Sequence, residues 1–116
     1  MTTAVKLAKK QWQPYFDRVS KVLTDEPAEV EATALPIGVQ AVAEWLPILG
    51  IVYDRKNDLI EIAFEEIDHM IAAPKEIYVD EGPMGLESVE IVGRDGIRHI
   101  VQLRNPLLLP APEAMH

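Results

Sequence analysis

The 116-residue sequence predicts an α+β domain, with one N-terminal helix packed on an antiparallel, curled sheet or small barrel of about six to seven short strands. Three observations lead there. Apolar residues recur at spacings of three and four near the N-terminus. From Ala28 onward the pattern changes to strand-like alternation broken by short turns. Finally, no crossover helix is available between these strands, which leaves antiparallel pairing.

Trp12, Tyr15, Phe16, Val19, Val22 and Leu23 form one apolar helical face, while Lys9, Lys10, Gln13, Asp17, Arg18 and Lys21 fill the rest. Pro14 is expected in the first turn, where its missing N–H costs nothing, so the helix should begin near residues 10–13. "TDEP" should end it, because Pro27 disfavours helical geometry at Glu26. "AEVEATAL" then reads as a strand with Val30 opposite its flanking glutamates.

"VQAVAEWLPILGIVYD" is a long β-rich run in which Pro47 and Gly50 call for a bulge or bend. "RKND" is a turn, and "LIEIAF" returns as a strand with Ile60, Ile62 and Phe64 on one face. "EEIDHMIAAP" fits either a helical turn or a strand. "KEIYVDE" is a strand, "GPMG" a turn, and "LESVEIV", "GRDG" and "IRHIVQLR" a second hairpin. Gly96 there supplies a positive φ. The domain should run over 10–104, after a flexible segment 1–9 and before a Pro-rich extended tail 105–116. His116 ends that tail and is expected to be mobile.

The composition narrows the function. There are no cysteines, which excludes a disulfide scaffold, a thiolate metal site and a cysteine nucleophile. The net charge is −8, yet residues 1–24 carry five bases against one acid, so the body is more acidic still. Such a body repels phosphate backbones and argues against nucleic acid as a partner. The basic segment is read as neutralising that body or as simply solvated. "MTTAVKLAKK" has no apolar signal-peptide region, and "LPILGIVY" is far too short to span a bilayer. The expectation is a cytoplasmic protein with no membrane partner.

The order of elements also carries a resemblance. A helix with W-x-x-x-F-D-x-x-S (Trp12, Phe16, Asp17, Ser20) precedes a strand bend "LPILGI" (Leu46 to Ile51). An acidic strand before a Gly-rich turn follows, and then a terminal Asp95-Gly96 hairpin closing at Arg104. Over roughly residues 10–104 this resembles an uncharacterised family of small bacterial proteins known only as a domain of unknown function. The resemblance implies no activity, cofactor or catalytic residue.

No Gly-rich phosphate loop and no G-x-S-x-G elbow is present. The best chemical cluster is Asp68-His69 with Asp80-Glu81, which His99 would have to join to make a metal site. Alternation sends the members of each consecutive pair to opposite faces, leaving few ligands on either side. The main expectation is therefore a non-enzymatic module that binds a protein partner or self-associates, without cofactor. Trp45 and the tail residues Leu107, Leu108 and Leu109 are its candidate contacts. The alternative is a small-molecule or metal-binding domain with a site near Asp68, His69, Asp80 and His99.

Overall fold

A computed structural model describes residues 3–23, 26–34, 38–65 and 67–109; Thr24, Asp25, Glu66 and the tail end with His116 lie outside the described residues. The chain order is β1 (Thr3–Lys6), α1 (Lys9–Val22), β2 (Glu26–Ala34), β3 (Gly38–Asp54), β4 (Leu59–Phe64), β5 (Asp68–Ala72), β6 (Pro74–Gly82), β7 (Gly85–Gly93) and β8 (Arg98–Leu107). The strands form one open antiparallel sheet in the order β1-β6-β7-β8-β2-β3-β4-β5.

The sheet therefore has eight strands rather than six or seven, and it does not close, because β1 and β5 are both edges. The ambiguous segment resolves as β5. The additional strand is β1, which lies inside the segment expected to be flexible and pairs Val5 with Val79 on β6. Four residues are too few to show an alternation in sequence.

α1 starts earlier than expected, at Lys9, so Pro14 sits inside the helix and not in its first turn. Pro14 is exposed, and the backbone bond it cannot make faces solvent. Ala8 has no side chain that can cap; instead the Gln11 amide oxygen accepts from the Ala8 backbone N–H at 2.9 Å. Trp12, Tyr15, Phe16 and Val19 are buried, as the spacing requires.

β3 is where the sheet bends. Trp45 has a φ of 49°, and the β2–β3 register slips between Ala28 and Val30. That register slips again between Val30 and Glu31, and a further slip lies between Ile48 and Gly50 on the β4 side, beside Pro47. β2 accompanies β3 only as far as Ile48, so the stretch beyond has no described strand on that flank. α1 fills the gap: the Ser20 hydroxyl donates to the Ile51 carbonyl at 2.8 Å and accepts from the Ile51 N–H at 3.0 Å.

The bend folds the β3–β4–β5 part over the β6–β7–β8–β2 part. The Ala73 N–H donates to the Asp58 carbonyl, and the Ala73 carbonyl accepts from the Arg94 N–H, which ties the two halves together at the β5–β6 junction. Between them lie Ile48, Ile51, Ile60 and Ile62 from one half, facing Ile77, Val79, Val89, Ile91 and Val101 from the other, with Phe16 and Val19 from the helix. Each such buried side chain contributes about 1.5–3 kcal/mol.

Candidate functional site

The fold brings together two of the four residues singled out as ligand candidates. His69 lies on β5 opposite Ile62, in the row that Ile62 shares with Ile51 on the inner face. His99 lies on β8 opposite Ile91. Three strands separate β5 from β8 in the sheet order, yet the His69 Nε2 is 2.9 Å from the His99 Nδ1, because the halves face each other. One ring donates its N–H and the other accepts, so the pair is satisfied while both are neutral. Burial lowers the pKa of both rings; His69 further lowers that of His99, and Asp95 opposes this.

Asp68 and Asp80 do not join them. Asp68 points to the outer face, where its hydrogen bond, together with desolvation, holds the Glu61 carboxyl above its ordinary value. Asp80 lines a cavity of about 340 Å³ on the outer face of the other half, with Tyr78, Ser88, Glu90 and Arg98. Glu81 turns to the opposite side, where its charge adds to the burial that raises the Tyr15 pKa. Among the described residues, no three His, Cys, Asp or Glu side chains gather where they could hold a metal ion together.

The candidate contact residues fall in three environments. Trp45 is 38% exposed at the β3 bend, with the Arg104 guanidinium 4.8 Å from its ring centre. Leu107 and Leu109 pack against the core, whereas Leu108 is exposed.

A surface that none of these residues marked is the edge strand β5. Among the described residues it pairs only with β4. Alternation turns Asp68, Met70 and Ala72 outward. Met70 is 51% exposed, in one cross-strand row with Glu61 and the exposed Val52, and the exposed Ile67 stands at the entry to the strand. The sequence carries no signal for this surface, since "DHMIA" does not alternate polar with apolar residues; the period of two appears in the burial of the strand.

These features define a small α+β protein with a folded-over antiparallel sheet and one helix. The chain belongs to a family of unknown function, DUF5335, whose model matches residues 3–112. It is also similar to an uncharacterized protein of the bacterium Aquifex aeolicus (strain VF5), 40% identical over 105 residues that cover 90% of this chain and 95% of the relative. No solved structure matches it. No described helix is long and apolar enough to cross a membrane.

Proposed function

We propose that the protein is a non-enzymatic module that self-associates through β5. The supporting observation is the backbone edge of Asp68–Ala72 that no described strand pairs, beside exposed Met70, Val52 and Ile67. An edge of this kind adds a strand to itself or to a partner unless something blunts it. The other edge is blunted: β1 has four residues, and Lys6 there is tied to Glu76 at 3.0 Å.

The occupant that suits β5 best is β5 of a second copy. An antiparallel pairing about a two-fold axis at Met70 sets Asp68 against Ala72 and His69 against Ile71, with Met70 against Met70. No like charges then stand directly opposite one another. Sedimentation analysis tests this. The wild-type chain is expected to dimerise with increasing concentration, and Met70→Asp, which alters an exposed position, to stay monomeric with an unchanged fold. A monomeric wild type at all concentrations, or a dimer untouched by Met70→Asp, refutes it.

A second reading, a divalent metal held by His69 and His99, draws on the convergence of their ring nitrogens. Metal–nitrogen bonds of about 2.0–2.1 Å in tetrahedral array hold two ligand nitrogens about 3.3 Å apart, a small widening of the present pair. Asp68 and Asp80 take no part in this reading. Its test is melting with and without zinc: a rise in Tm that disappears in His69→Ala supports it, and no rise sinks it.

A further inference from the structure

A cavity of about 520 Å³ opens between the first turns of α1 and the β3–β4 turn, lined by Lys9, Lys10, Gln13, Tyr53, Arg55 and Asp58. Three of these six side chains are cations, in a chain whose net charge is −8. Among the described residues, no carboxylate forms an ion pair with Lys9, Lys10 or Arg55. Lys9 lies 5.7 Å from the Trp12 ring centre, and Arg55 donates to the Gln13 side-chain oxygen at a long 3.5 Å.

The one acid of the cavity is already engaged. Asp58 accepts a 2.7 Å hydrogen bond from the Tyr53 hydroxyl, and the Arg94 guanidinium stands 3.9 Å from its other oxygen. Burial, and then this hydrogen bond, push the Tyr53 pKa up to about 12, so the hydroxyl keeps its proton and goes on donating.

The neutralising role expected of the basic N-terminal segment is met by Lys6, which pairs with Glu76, but not by Lys9 or Lys10. These two lysines open a helix with no acid in its first turn, the end where the backbone dipole disfavours cations. Natural proteins break such local rules at functional or strained sites. The cations also come from two separate elements, so the fold, and not sequence adjacency, assembles them.

We infer that this cavity binds a small oxyanion of two or more negative charges, gripped by Lys9, Lys10 and Arg55. The Gln13 side-chain NH2 would orient it by donating, because the Gln13 oxygen already accepts from Arg55. The Asp58 carboxylate, which takes the Tyr53 hydroxyl proton in a hydrogen bond, would repel anions too large to avoid it. Phosphate esters and polycarboxylates share this chemistry.

The test is an NMR titration of the amides of the full chain with pyrophosphate and, separately, with citrate. Saturable shifts confined to residues 9–13 and 53–58 are expected from at least one of the two. The anion bound more tightly identifies the source of the charge. Lys10→Gln combined with Arg55→Gln should weaken binding about tenfold or more, whereas Lys56→Gln, outside the cavity, should change it by less than about twofold. Both variants alter exposed side chains, and an unchanged Tm confirms that they fold. No saturation with either anion overturns the inference. So does equal weakening by Lys56→Gln, which would mean diffuse attraction without a site.

Discussion

Gly85 shows how tightly single positions are specified. Its φ is 123°, and a Cβ built there would lie 2.5 Å from the Leu107 carbonyl oxygen, a backbone atom that cannot swing away. Gly96 also has a positive φ, 84°, but open space around it. Gly85→Ala should therefore cost about 3 kcal/mol or more, since strain and collision add, and Gly96→Ala about 1 kcal/mol. Urea denaturation of the two variants compares them directly. The imidazole pair makes a second prediction at this scale. Both rings have pKa values lowered by burial, so the unfolded chain binds more protons once the pH falls below about 6.5. Stability should decline from pH 7 to pH 5.5, before the lowered carboxyls of Asp54 and Glu76 begin to act near pH 4. His69→Phe should flatten that decline, and a decline unchanged in the variant would assign it to other groups. The sequence placed His99 on a strand and left His69 in a segment that fits a helical turn or a strand; it could not show their meeting, because contact between unpaired strands follows from how the sheet folds over.

At the scale of elements, α1 is held by its buried face and by one polar clip. Phe16 is fully buried, and Phe16→Ala should cost about 3–5 kcal/mol, whereas Lys21→Ala, at an exposed position, should cost less than about 1 kcal/mol. Ser20→Ala frees both backbone groups of Ile51 on the flank that β2 leaves uncovered. The expected loss is about 1–3 kcal/mol, with faster hydrogen exchange at the Ile51 amide. The docking face of α1 was legible in sequence because the helical period states it outright. The β3–β4 and β7–β8 hairpins were legible because alternation and turn residues agree. The start of α1 was not, since Pro14 suggested a first-turn position and the exposed helix tolerates it inside. The bend in β3 was signalled by Pro47 and Gly50. Its sharpest residue is Trp45, whose left-handed backbone no propensity scale favours.

At the scale of the whole molecule, one continuous sheet folds over a single core, and β5 is the edge proposed to pair with a second copy. Two chains of charge −8 repel each other, so added salt should strengthen the dimer by screening, and should weaken oxyanion binding at the cationic cavity. Opposite salt dependences would separate the two activities within one protein. The most direct measurement is amide hydrogen exchange along Asp68–Ala72 as the protein concentration is raised. Amides of β5 that do not bond to β4 should become more protected as the dimer forms, and Met70→Asp should abolish the gain. Exchange rates in β5 that do not change with concentration would contradict the account, as would a gain in protection confined to other surfaces.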